Sequence, residues 1–98
     1  MIQYMVEFKM PEIISQEFMA LIPEQRATIN LLMAEGIVTT YTLAQNRTKL
    51  WTTLMAKDEE HLLKIIDTFP LIKYLKPEIT EWMFHESVSY KFPYFSLN

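Results

Sequence analysis

The hydrophobic pattern of the N-terminal third of the chain changes once, from alternation to helical spacing. Residues 2–9 alternate between apolar and mainly polar positions, which predicts a β-strand that ends before Pro11. Over residues 15–35 the apolar positions recur at helical spacing, which predicts a helix capped by Gly36. Pro23 leaves two alternatives open: two short helices that meet near this residue, or one helix with a kink.

The middle of the chain predicts a β-hairpin followed by a second helix. Residues 37–44 and 50–56 are rich in β-branched and aromatic side chains, and the polar residues 45–49 between them are few enough for a hairpin loop. The acidic residues 58–60 then supply the negative charge that favours a helix N-terminus. An apolar stripe follows and ends at Pro70, so we expect a helix there.

A final strand, predicted over residues 79–86, completes the order strand, helix, strand, strand, helix, strand. This is the ferredoxin-like order of two β-α-β units, so we expect an α+β domain with one antiparallel sheet. One sheet face takes the helices, and the other also needs a cover because the strands carry apolar side chains in both directions. We therefore expect a homodimer or a larger homo-oligomer. The strand residues that offer apolar side chains in both directions include Met5, Trp51, Leu54, Trp82 and Phe84.

The composition supports an interface and a single domain. Half of the 98 residues are hydrophobic and seven are methionine, which is more apolar surface than one small core uses. No Pro-, Gly- or Ser-rich linker divides the chain, so we expect one domain over residues 1–87. We expect the C-terminal tail, residues 88–98, to dock on its own subunit or on a partner through four aromatic side chains: Tyr90, Phe92, Tyr94 and Phe95.

Charge and targeting signals exclude several classes of protein. A net charge of −3 does not favour binding to nucleic acid or to an anionic membrane surface. The absence of cysteine excludes disulfides and cysteine-based metal sites. The N-terminus does not have the pattern of a signal peptide, and no apolar run reaches the roughly 20 residues that span a bilayer. We therefore expect a cytoplasmic protein.

Several short motifs point to a known family: Met-Val-Glu-Phe in the first strand, Glu-Gly at the end of the first helix, Phe69-Pro70-Leu71 followed by Tyr74, and His85. In these motifs and in the order of its elements, the chain resembles the muconolactone isomerase family. The resemblance covers most of residues 1–87. It implies a dimeric α/β barrel that moves a proton on a lactone without a metal or a cofactor.

The chain departs from that family at residues that carry its chemistry. The family's acidic residue on the first helix falls at Gln25, and an amide cannot take up a proton at neutral pH. The family's Leu-Trp-Arg on the second strand is replaced by Tyr41-Thr42-Leu43. Arg47 matches an arginine of the family, and this match makes it a candidate for binding a substrate carboxylate.

Two polar residues of the first helix are candidates for binding a substrate. Gln25 lies in the middle of the apolar stripe and should point inward. It could orient a substrate oxygen, or its amide could be satisfied by backbone groups near Pro23. Arg26 lies at the flank of the stripe, where it could reach the mouth of a pocket or pair with a solvated glutamate.

The strands supply the other candidate residues. Glu7 and His85, on the first and last strands, could form a proton-transfer pair, or simply a buried or interfacial polar contact. Tyr41 is a candidate hydroxyl donor for the same chemistry. Trp51 and Tyr4 suit either a flat organic ligand or ordinary core packing.

The sequence therefore predicts a muconolactone-isomerase-like protein that binds a small, partly apolar carboxylate or lactone. Any reaction would be a cofactor-free isomerisation by proton transfer. The spacing of the two histidines does not favour a metal site, and no cofactor is expected. Two alternatives stay open on the same fold: a non-catalytic binding or assembly module, and a cofactor-independent monooxygenase.

Overall fold

A computed structural model describes residues 1–87 as two helices packed on one four-stranded antiparallel sheet. The predicted aromatic tail, residues 88–98, lies outside the described residues. No helix within residues 1–87 combines the length and apolarity needed to cross a bilayer. In chain order the elements are β1 (Ile2–Lys9), α1 (Gln16–Ala34), β2 (Val38–Leu43), β3 (Lys49–Ala56), α2 (Glu59–Ile66), a 3-10 turn (Ile72–Tyr74) and β4 (Lys76–Glu81).

The strands lie in the order β2-β3-β1-β4, with every neighbouring pair antiparallel. The predicted α+β class is therefore confirmed, and the arrangement is compatible with a ferredoxin-like fold. The two central strands, β1 and β3, alternate between buried and less buried positions. Their buried positions lie opposite one another and form the floor of the core under the helices: Tyr4, Val6, Phe8, Leu50, Thr52 and Leu54.

The first helix is continuous through Pro23, so the alternative of two short helices is wrong. Ser15 begins the helix by accepting a hydrogen bond from the backbone N–H of Phe18 at 3.1 Å. Pro23 is exposed, so water can solvate the carbonyl of Met19 that loses its helical partner. The helix therefore passes the proline without burying an unpaired backbone group.

Gly36 ends the first helix as the sequence predicts. Its φ is 75°, in the left-handed region that favours glycine. The N–H of Gly36 donates to the carbonyl of Met33 at 3.0 Å, and the N–H of Ile37 donates to that of Leu32 at 2.9 Å. This pair of bonds is a Schellman motif, which turns the chain from α1 towards β2.

The second helix begins where the acidic run predicts it. Asp58 precedes it and accepts a hydrogen bond from the backbone N–H of His61 at 2.8 Å. The apolar stripe is buried against the sheet at Leu62, Ile65 and Ile66. The helix ends at Ile66, before the predicted boundary at Pro70, and turns lead from there into the connector to β4.

The last strand lies earlier in the chain than predicted. We expected residues 79–86, whereas β4 spans Lys76–Glu81. Glu81 pairs with Tyr4, and the N–H of Trp82 donates to the carbonyl of Gln3. In this register Ile2, where β1 begins, lies opposite residue 83, so residues 84–86 of the predicted strand would have no part of β1 to pair with.

The sheet face opposite the helices is less apolar than the sequence suggested. Leu54 belongs to the helix-covered core, and Trp82 and Phe84 lie beyond the end of β4. Met5, Trp51 and Met55 are its large apolar side chains, and they are half-buried. Strand pairing sets them among polar neighbours: Gln3, Glu7, Thr40, Thr42, Thr53, Glu78 and Thr80.

We expect Gly36→Ala to lower the free energy of unfolding by about 1–2 kcal/mol, because a Cβ disfavours the left-handed backbone. A Cβ here meets no atom within 4 Å, so the cost comes from the backbone alone. Gly36→Asn should cost less because asparagine tolerates this conformation. Urea denaturation measures both variants, with Glu35→Ala as the control. Equal stability of Gly36→Ala and the unmodified chain would contradict the expectation.

Candidate functional site

A cavity of about 380 Å³ lies between α1 and the edge strand β2. The connector after α2 closes one side, and residues of β3 and the segment after β1 complete the wall. Most of the lining is apolar. The lining residues are Met10, Phe18, Ile22, Gln25, Arg26, Ile29, Asn30, Met33, Tyr41, Leu43, Leu50, Leu71 and Leu75.

Gln25 is the buried polar residue at the centre of this cavity wall. It is 2% exposed, as its place in the apolar stripe of α1 predicts. Its Oε1 accepts a hydrogen bond from the backbone N–H of Leu71 at 3.1 Å. Its Nε2 donates to the hydroxyl oxygen of Tyr41 at 3.1 Å. One amide therefore ties the helix to the edge strand and to the connector after α2.

Tyr41 brings a hydroxyl group into a wall whose lining is mostly apolar. Burial raises the pKa of this phenol above its ordinary value of 10.0, while the hydrogen bond from Gln25 and the charge of Arg26 act in the opposite direction. Because the net effect is a raised pKa, the phenol is neutral at physiological pH. It can therefore donate its hydrogen to a partner in the cavity.

Arg26 supplies the positive charge of the cavity lining. Its side chain is exposed while contributing to the wall, which places its guanidinium at the opening. Its positive charge favours the ionised phenolate and so acts to lower the pKa of Tyr41, against the larger effect of burial. A guanidinium is a donor that suits carboxylate oxygens.

The opening of the cavity is rimmed by partly exposed apolar side chains. Ile22 is 37% exposed, Met33 is 39% exposed and Leu43 is 50% exposed. All three line the cavity, two from α1 and one from β2. An apolar body entering between α1 and β2 would cover this rim and release its water.

The predicted pair of Glu7 and His85 does not form. Glu7 accepts a hydrogen bond from Trp51 Nε1 at 2.9 Å and lies 3.8 Å from Lys49 Nζ, on the sheet face away from the cavity. His85 lies beyond β4 and stacks on Trp82 with ring centroids 4.3 Å apart. The two residues are separated because β4 ends at Glu81, so His85 is not on a strand beside Glu7.

The remaining predicted residues also lie outside the cavity lining. Trp51 is bound to Glu7 on the opposite face of the sheet. Tyr4 is packed in the core beneath the helices and is 3% exposed. Arg47 is exposed in the hairpin turn, with a φ of 62°. The structure thus brings together Gln25, Arg26 and Tyr41 and leaves the other five candidates apart.

Several lining residues had not been considered as candidates. Asn30 is one turn after Arg26 on the same face of α1, so helical spacing from Gln25 and Arg26 could have identified it. Met10 and Leu75 follow β1 and the 3-10 turn, respectively. No periodic signal in the sequence marks them, because irregular backbone brings them to the cavity.

Comparison with known proteins assigns no family. No protein-family model matches the chain, and no curated protein matches it significantly. Within residues 1–87, no group of three or more His, Asp or Glu side chains could hold a metal ion. The function is therefore inferred from the cavity and its four polar lining residues: Gln25, Arg26, Asn30 and Tyr41.

We expect Gln25→Met to lower the free energy of unfolding by about 1–3 kcal/mol, because the buried N–H of Leu71 would lose its acceptor. Tyr41→Phe should cost about 0.5–1.5 kcal/mol, since it removes one hydrogen bond and leaves the Leu71 N–H satisfied. Urea denaturation measures both variants. The exposed Gln16→Met on the same helix is the matched control, and a Gln25→Met variant as stable as this control would refute the structural role.

Proposed function

We propose that this protein binds a small, partly apolar organic molecule, of the carboxylate or lactone class, in the cavity between α1 and β2. The observation that carries the proposal is the hydrogen-bonded pair of Gln25 and Tyr41 set in an apolar wall. Ligand pockets commonly combine an apolar lining with a few polar groups that fix orientation. The cavity volume of about 380 Å³ suits a small ligand, since such pockets span about 300–1,000 Å³.

The polar groups of the lining favour a ligand that carries oxygen. Tyr41 can donate a hydrogen bond inside the cavity, and Arg26 places a positive charge at its opening. A carboxylate would pair with the guanidinium while the apolar part of the molecule contacted side chains such as Ile29. The proposed ligand therefore has one polar end and one apolar body.

Binding is the function that this geometry supports best. The cofactor-free isomerisation implied by the family resemblance needs a base close to the abstracted proton. The cavity lining within residues 1–87 includes no carboxylate and no imidazole, and the proposed pair of Glu7 and His85 lies elsewhere. We therefore propose ligand binding, and not proton transfer, as the function of this cavity.

A panel of lactones, dienoic acids and aromatic acids should raise the melting temperature of the protein. Ile22→Trp should reduce that shift, because the larger side chain would fill the opening of the cavity. Leu31→Trp is the matched control, since Leu31 lies on the same helix, is 66% exposed and does not line the cavity. A flat response across the panel would favour the non-catalytic assembly module instead.

We also propose that two copies of the chain pair through the sheet face that the helices leave uncovered, as in a dimeric α/β barrel. Three large apolar side chains on this face support the proposal: Met5, Trp51 and Met55. Met5 and Trp51 lie on the two central strands, so they are in the middle of the face. A second sheet would remove them from water.

Sedimentation at micromolar concentration should therefore detect a dimer. Met5→Lys should shift the protein towards the monomer, because it places a charge in the middle of the proposed interface. Leu63→Lys serves as the control, since Leu63 is 44% exposed on α2, on the other side of the sheet. A folded monomer of the unmodified chain at this concentration would rule out the pairing.

A further inference from the structure

We infer that the hydrogen-bonded pair of Gln25 and Tyr41 presents only hydrogen-bond donors to the cavity, and that it therefore selects a ligand whose inserted oxygen accepts hydrogen bonds without donating one. Ketones, esters and carboxylates have such an oxygen. This inference rests on the proposed function, because it concerns the choice of ligand in the same cavity. It follows from the direction of two hydrogen bonds, those of Leu71 and Tyr41 with the amide of Gln25.

The backbone of Leu71 fixes which way the Gln25 amide points. A backbone N–H can only donate, so the amide atom 3.1 Å from it must be the oxygen. In the reverse orientation the NH₂ group of Gln25 would face the N–H of Leu71. Two donors cannot form a hydrogen bond, so both groups would be left unsatisfied at a buried site. Since Gln25 is 2% exposed, water cannot easily compensate for that loss. The NH₂ group must therefore face Tyr41.

The orientation of the amide then fixes the direction of the Tyr41 hydroxyl. Nε2 of Gln25 has hydrogens and no free lone pair, so the Tyr41 oxygen must be the acceptor in their 3.1 Å contact. The phenolic hydrogen must point away from Gln25. Within residues 1–87, no side chain or backbone atom accepts a hydrogen bond from this hydroxyl. Because Tyr41 lines the cavity, its hydrogen is available to a ligand there.

Two neighbouring groups are also hydrogen-bond donors. The second hydrogen on Nε2 of Gln25 is also a donor, and the guanidinium of Arg26 has no acceptor. Both residues line the cavity with Tyr41. A ligand oxygen that contacts Gln25, Tyr41 and Arg26 meets hydrogens only, whereas Asn30, which also has an accepting oxygen, lies one turn further along α1. A ligand O–H or N–H at the same place would oppose a donor, and neither group would be satisfied.

Three bicyclic probes of similar size test, on the whole chain, whether the site offers only hydrogen-bond donors. 1-Indanone has an accepting carbonyl, indole has a donating N–H, and indane has neither. We expect 1-indanone to bind about tenfold more tightly than indole, because the mismatched donor leaves buried groups unpaired. Titrations followed by backbone amide NMR measure the three dissociation constants and locate the site.

Two variants then test the origin of the preference. Tyr41→Phe should lower the affinity for 1-indanone several-fold, to a value close to that for indane, because the donating hydroxyl is gone. Gln25→Met should strengthen the binding of indole relative to that of 1-indanone. The Tyr41 hydroxyl would no longer be bonded to Gln25, so it could rotate and accept a hydrogen bond from the indole N–H. Tyr74→Phe is the matched control, because Tyr74 packs on Phe18 without lining the cavity, and it should keep the preference of the unmodified protein.

The possible outcomes separate this inference from the proposed function. If none of the three probes binds at the cavity, the proposed function fails and the inference fails with it. If 1-indanone and indole bind there with equal affinity, the proposed function is supported, whereas the inference that the site offers only donors is refuted. Unchanged selectivity in both Tyr41→Phe and Gln25→Met would also refute it, whether or not Gln25→Met is less stable.

Discussion

The amide of Gln25 is the interaction on which the arrangement of this protein depends. The side chain leaves α1 at a buried position and must satisfy an oxygen and an NH₂ group away from water. It does so with Leu71 in the connector and Tyr41 on the edge strand. This one amide therefore links α1, the edge strand β2 and the connector that leads to β4.

The same constraint explains why a cavity lies beside a well-packed core. Elsewhere, apolar side chains pack on the sheet: Leu62, Ile65 and Ile66 from α2, and Phe69 from the connector after it, whose ring centroid lies 5.9 Å from that of Phe8 on β1. At Gln25 the contact between α1 and β2 is made through a polar pair, and the space beside it is not filled. A structural role for the amide and a role in binding are therefore compatible, because the bonds that satisfy Gln25 also orient the Tyr41 hydroxyl.

The elements were predictable where one local signal decided them. Alternation identified β1, Gly36 identified the end of α1, and acidic residues identified the start of α2. The inward position of Gln25 followed from helical spacing alone. The extent of β4 was not predictable in this way, because it depends on the register that β4 adopts beside β1, and no local pattern in the sequence gives that register. That error also assigned His85 to a strand, and the suggested pair with Glu7 depended on it.

Pairing between strands decides which candidates belong to the site. Tyr41 lies opposite Thr52, whose position faces the helices, whereas Trp51 lies one residue earlier and faces the other way. Adjacent strand residues point to opposite sides of a sheet, so the two aromatic candidates cannot share a ligand within one chain. Trp51 instead donates to Glu7 on the uncovered face, where the pair would contribute to contact with a second sheet. The sheet thus places the cavity on the side of the helices and the pair of Glu7 and Trp51 on the uncovered side.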